Sequence, residues 1–226
     1  MKIRHTYDML VDKAYIIRVP GHEESKRLAA RCLASCSAVG QKAEFWPAVD
    51  GTKQLPDEHI DSVLNIVKLT NHFLSRTEVA CVLSHLSLWS HCAQTDKPIV
   101  VLEHDAVMLR PYENHVVYNS ICYLGCKEQK NQGWPVLPTP PHGTEGPGYH
   151  FILRAHAYAI DPAVARHMVA HVIRYGINES ADKLLRADIF PIHQFGLFAY
   201  DEPGKSSIDH LHSDDMLAKR NDNLEK

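Results

Sequence analysis

The residues best suited by type and spacing to do chemistry are Glu103 and Asp105, which follow the apolar run Pro98-Ile99-Val100-Val101-Leu102. Such a run reads as a buried strand whose end delivers two carboxylates. In open α/β sheets, ligands gather outside the carboxyl ends of the strands. Two like charges there repel, and a bound cation relieves the repulsion. Oxygen ligands of this kind suit Mg2+ or Mn2+, which take one or two protein carboxylates and fill the remaining positions with phosphate oxygens and water. The competing reading is a solvated turn after a strand. On extended backbone Glu103 and Asp105 point one way and His104 the other, so His104 is not expected to be a ligand.

Carboxylates at a strand end need a sheet to hold them. Residues 14–19 read as a short strand broken at Gly21, and a charged helical pattern follows over 23–36. A second strand over 43–46 closes at Pro47 and the turn Asp50-Gly51. A strand, a helix and a strand within about 35 residues predict a βαβ opening to a mostly parallel sheet. A helix is expected over 57–67. The next helix is better marked: Ser75-Arg76-Thr77-Glu78 has capping-box spacing. Val79, Val82, Leu83, Leu86, Trp89 and Ala93 then recur at helical intervals.

Further strands are expected over 120–124, stopped by Gly125, and over 150–160. Asp161-Pro162 opens a helix with a side-chain cap and a proline at its first position. Between these strands, residues 133–148 carry five prolines and four glycines, which predicts a lid or binding loop. After Ile192 the chain reads as irregular. The domain is expected over 1–208, with a polar tail over 209–226.

Composition narrows the function classes. Over 226 residues, 45% are hydrophobic and 23% charged, ordinary for a globular protein. The net charge of −3 supplies no basic footprint, so nucleic acid is not favoured as a partner. The 16 histidines are scattered. Six cysteines include two C-x3-C pairs, at 32/36 and 122/126, but no C-x-x-C zinc spacing. They are expected to be free thiols in a reducing compartment. The first ten residues hold no apolar run, and no stretch approaches about 18 apolar residues, so a cytoplasmic protein without a transmembrane segment is expected.

A series of motifs, in order, resembles glycosyltransferase family 25, which includes lipooligosaccharide galactosyl- and glucosyltransferases and collagen galactosyltransferase domains. Ala14-Tyr15-Ile16-Ile17 with Arg27 is similar to the family's opening strand and following arginine. Phe45-Trp46-Pro47-Ala48-Val49-Asp50-Gly51 resembles its F-x-A-V/I-D-G element. The segment from Glu78 to Trp89, with Cys81, Ser84 and His85, resembles its E-x-G-C-x-x-S-H-x-x-x-W helix. Leu102 to Ala106 resembles L-E-D-D-A. Tyr158 falls where the family has an alanine-tyrosine strand, Ala181-Asp182 resembles a late A-D site, and Ser206-Ser207-Ile208 resembles the closing motif. The chain departs at Ile17-Arg18-Val19-Pro20-Gly21, where the family has Asn-Leu and basic residues. It also departs at Ala80, usually glycine, and at His104, usually aspartate.

The resemblance covers roughly residues 13–208. It implies a GT-A fold, a Rossmann-like α/β domain that binds a nucleotide-sugar donor, most often UDP-linked. It also implies inversion at the anomeric carbon and a glycan or other hydroxyl acceptor. Glu103 and Asp105 then hold the Mn2+ or Mg2+ on the donor diphosphate, and Asp182 is the candidate general base. Ile17, Arg18, Arg27, Asp50, Ser84, His85, Lys205, Ser206 and Ser207 are the candidate donor-binding residues. Each has an ordinary alternative: Asp182 as a helix cap, Arg27 on a solvated face, Asp50 as a turn residue, Ser84 and His85 as helix packing. Two rival functions are a transferase that glycosylates DNA bases and a non-catalytic sugar-nucleotide-binding module.

Overall fold

A computed structural model describes residues 10–52, 67–71, 73–113, 120–125, 155–194 and 197–201. The expected 57–67 helix, the 133–148 loop, Lys205, Ser206, Ser207 and the 209–226 tail lie outside the described residues, apart from Val67. The elements are β1 (Ala14–Arg18), α1 (Glu23–Ala38), β2 (Ala43–Pro47), α2 (Arg76–Thr95), β3 (Ile99–Glu103) and β4 (Ala106–Met108). They continue as β5 (Ile121–Tyr123), β6 (Ala157–Ile160), α3 (Pro162–Tyr175), α4 (Ala181–Leu184), β7 (Ile192–Gln194) and β8 (Ala199–Asp201).

Among the described residues one sheet has the order β2-β1-β3-β6-β5-β7, and β4 and β8 form a separate antiparallel pair. β1 runs parallel to both β2 and β3, and β5 parallel to β7. β6 is antiparallel to both its neighbours, β3 and β5. The α/β architecture and mostly parallel sheet expected from the sequence are therefore present, with one reversed strand. The expectation of irregular chain after Ile192 is corrected: β7 extends the sheet and β8 pairs with β4. Three-residue strands are too short to show a period, so their partners decide them.

Side chains alternate across the sheet as strand geometry requires. Tyr15, Ile17, Ile99, Val101, Tyr158 and Ile160 face one core with Val82, Leu86 and Trp89 of α2 and Met168 of α3. Ala14, Ile16, Val100, Leu102, Ala157 and Ala159 face the other, with Ala29, Cys32 and Cys36 of α1. Helices thus cover both faces, as a parallel sheet demands.

The helix starts follow their sequence signals. Ser75 caps α2, accepting from the Glu78 amide while the Glu78 carboxylate accepts from the Ser75 amide at 2.8 Å. Asp161 caps α3 by accepting from the Ala163 amide, with Pro162 in the first turn. No described helix is long and apolar enough to cross a membrane.

Candidate active site

β1, β2 and β3 end together, in register Ile17 with Trp46 and Ile17 with Glu103. The reversed β6 brings its beginning to the same edge, where the Glu103 amide donates to the His156 carbonyl at 2.9 Å. Glu103 therefore sits between β1 and the start of β6.

Strand alternation aims Glu103 at α2. Its Oε1 accepts from His85 Nε2 at 3.2 Å and from the Cys81 thiol at 3.9 Å. Cys81 and His85 are one helical turn apart, so both reach the same oxygen. A buried relay sets the direction of these bonds. Trp89 Nε1, which can only donate, gives its proton to Tyr158 Oη at 2.8 Å. Tyr158 then donates to His85 Nδ1 at 2.8 Å, leaving Nε2 protonated for Glu103. His85 and Tyr158 are fully buried and their rings stack. Burial pushes the Glu103 carboxyl up, but the hydrogen bond from His85 and the neighbouring imidazoles outweigh it and hold the group below its ordinary range.

The strand ends at Glu103; His104 and Asp105 form a turn instead of continuing the extended backbone. His104 lies on the α1 side, with Nδ1 3.1 Å from Ser25 Oγ, which also accepts from the Val19 amide. Arg31 of α1 donates to the Asp105 carbonyl at 3.1 Å. Asp105 Oδ1 is buried without a hydrogen-bond partner. Burial and the charge of Glu103 hold the Asp105 carboxyl above its ordinary range. The two carboxylates are thus pushed in opposite directions.

More acid surrounds Cys81. Burial, then the charges of Glu103, Asp182, Glu78 and Asp105, push its thiol well above the ordinary range. Asp182 lies on α4, which packs on α2, so it is within electrostatic reach of this centre. Its Oδ1 accepts from the Ser180 hydroxyl at 2.6 Å and the Lys183 amide at 3.0 Å.

The other residues singled out by sequence fall into two groups. Ile17 and Arg18 are at the sheet edge, the Arg18 guanidinium 4.3 Å from the Phe45 ring centroid. Ser84 Oγ accepts from the Val49 amide at 2.9 Å, fastening the loop after β2 to α2. Asp50 in that loop accepts from the amide and hydroxyl of Thr52. A Cβ on Gly51 would lie 2.8 Å from the Arg76 carbonyl oxygen, so this approach to α2 needs glycine. Arg27 is apart from this centre, paired with Glu24 through two hydrogen bonds on the exposed face of α1.

Two contributors were not foreseen. Cys81 stands in the helix motif, but its convergence with Glu103 depends on how α2 packs. His156 is 2% exposed, and neither ring nitrogen has a hydrogen-bond partner. It reaches the edge only because β6 is reversed.

Cys81, His85 and Glu103 each offer a metal-ligating atom, and the three atoms lie within 4.8 Å of one another. The model of glycosyltransferase family 25 (LPS biosynthesis protein) matches residues 13–122. Over that span, just under half of the chain, the sequence is similar to glycosyltransferase family 25. The match runs from β1 through Cys122 of β5 and takes in Cys81, His85, Glu103 and Asp105. The match supports a glycosyltransferase. Among curated proteins there is no match.

In this chain the helix motif acquires a physical meaning. Glu78 closes the cap, Ser84 holds the β2 loop, His85 holds Glu103 and Trp89 holds Tyr158. Ser84, His85 and Trp89 thus tie α2 to the edge of the sheet, and Glu78 fixes where the helix begins.

Proposed function

We propose that the protein transfers a hexose from a UDP-linked donor to a hydroxyl of a glycan acceptor, in a GT-A-type site, with inversion and with the help of Mn2+ or Mg2+. The observation that carries this reading is Asp105 Oδ1, a buried oxygen without a partner beside a second carboxylate at the carboxyl edge of the sheet. Burying an unpartnered polar atom costs about 1–3 kcal/mol, more when it is charged. A hard divalent ion supplies the missing partner, so the residues fit one, with Glu103 and Asp105 as ligands. When bound, such an ion neutralises the charge that develops as the nucleoside diphosphate departs.

The chain's own groups do the rest. Ile17, Arg18 and Asp50 line the edge where base and ribose would lie. Lys205, Ser206 and Ser207 follow in sequence as candidates for the diphosphate. Asp182 accepts the proton of the acceptor hydroxyl while that oxygen bonds the anomeric carbon from the face opposite the departing diphosphate. Ser180 and the Lys183 amide orient its carboxylate for the task. General-base help of this kind contributes about 10²–10⁴-fold.

Calorimetric titration of UDP with and without Mn2+ tests the reading. Binding should require the ion and vanish in Asp105→Asn. Undiminished turnover in excess chelator would sink the metal-dependent mechanism. A hydrolysis screen across UDP-glucose, UDP-galactose, their N-acetyl forms and pentose donors identifies the sugar.

A further inference from the structure

Cys81, His85 and Glu103 differ in kind from the Glu103/Asp105 pair. A thiol, an imidazole and one carboxylate are the donor set of a softer ion than Mg2+ or Mn2+. We propose that these three residues form a tridentate Zn2+ site that shares Glu103 with the transfer centre, so that zinc competes for that carboxylate.

The geometry supports this. Zinc sits about 2.3 Å from sulfur, about 2.0–2.1 Å from imidazole nitrogen and about 2.0–2.2 Å from carboxylate oxygen. In a tetrahedron those bonds set the ligand atoms about 3.3–3.6 Å apart. Here His85 Nε2 is 3.2 Å and Cys81 Sγ 3.9 Å from Glu103 Oε1, and all three atoms lie within 4.8 Å of one another. Two protons now point at one oxygen; an ion in their place binds all three atoms with small side-chain adjustments. Three protein ligands leave a fourth position for water, the pattern of catalytic and not of structural zinc sites.

The surroundings suit the ion. Metal-bound histidine donates its other N–H to a fixed partner. Zinc on Nε2 reverses the existing bond: Nδ1 becomes protonated and donates to Tyr158 Oη, 2.8 Å away. The hydroxyl proton of Tyr158 rotates off Nδ1, while Trp89 still donates to the same oxygen. Glu78, Asp105 and Asp182 add negative charge around Cys81. The protons balance simply. Cys81 loses one to solvent, and His85 exchanges its Nε2 proton for one on Nδ1, so each ion bound releases one proton.

Cobalt reports the site without reference to turnover. Metal-stripped full-length protein titrated with Co2+ should develop, at one equivalent, a near-ultraviolet thiolate-to-cobalt band and the intense visible bands of tetrahedral cobalt. Zn2+ should abolish both, and the bands should persist in Asp105→Asn. Cys81→Ala and Cys81→Ser, shown to be folded by circular dichroism, should lack the thiolate band. No such band in the parent protein, or its survival in both folded Cys81 variants, overturns the proposal. The competition itself rests on the proposed transfer reaction. Zn2+ should inhibit Mn2+-supported transfer at least about tenfold more weakly in Cys81→Ala than in the parent. Equal inhibition of the two overturns the competition while the cobalt result stands. If no donor is turned over, the transferase reading fails and the cobalt result alone decides the zinc site.

Discussion

Asp105 carries the least comfortable charge of the acidic turn. Burial and the Glu103 charge raise its folded pKa above the unfolded value, so its ionised form opposes folding. That opposition is complete above the folded pKa and disappears below the unfolded one. Asp105→Asn removes it at neutral pH, and the metal-free variant should melt higher than the parent, by about 2–4 °C for each kcal/mol relieved. The same variant should lose Mn2+-dependent UDP binding. A lower melting temperature would show that contacts of Asp105 stabilise the fold more than its charge harms it. Glu103 behaves in the opposite sense: its net depressed pKa stabilises above the unfolded value, and that support is lost as pH falls through the folded one. Asp182→Asn probes the base separately. Turnover should fall at least about 10²-fold while Mn2+-dependent UDP affinity stays within a few-fold. Asparagine accepts hydrogen bonds nearly as well, so unchanged turnover would leave Asp182 as a cap only. The sequence made the Glu-x-Asp signal legible because it follows a continuous apolar run. Cys81 and His156 were not legible as neighbours of Glu103, because each arrives from a separate element whose packing no local pattern encodes.

At the scale of elements, α2 fastens the sheet through Ser84, His85, Ser87, Trp89 and His91. Tyr15 Oη meets His91 Nε2 at 2.8 Å, and the Trp46 indole donates to Ser87 Oγ at 2.8 Å, so β1 and β2 are tied to it as β3 and β6 are. Tyr158 is the junction of that scheme. Tyr158→Phe leaves the Trp89 N–H and His85 Nδ1 buried without their shared partner, at about 1–3 kcal/mol each. Thermal denaturation should show a loss of several degrees, and UDP affinity should weaken because Glu103 loses its fixed orientation. A variant that melts like the parent would mean that water or rotated side chains replace the hydroxyl. Helix starts and long strands were readable from caps and periodicity. The reversed direction of β6 and the short strands β4, β7 and β8 were not, since pairing alone defines them.

Across the whole molecule, two cores separated by one sheet converge on one edge. Binding there should stabilise the entire fold: UDP and Mn2+ together should raise the melting temperature more than their separate effects combined. At 100 times the dissociation constant the gain is about 2.7 kcal/mol. Purely additive shifts would argue against a shared site.

The reversal of β6 has a consequence for how such a protein diversifies. The chain leaves the sheet at Leu124-Gly125 and rejoins it at Ala155-His156, on adjacent strands beside Glu103. The two junctions are so close that a Cβ on Gly125 would meet the His156 ring. Whatever length is inserted between them, the sheet must close the same short gap of about 4.8 Å. Doubling that length adds only about 0.6 kcal/mol of closure entropy. Closure of the sheet at these junctions therefore depends only weakly on how much chain joins them. Variants with this interval lengthened by a flexible insert should keep a melting transition close to the parent's, and a drop of many degrees would show that the sheet depends on the interval itself.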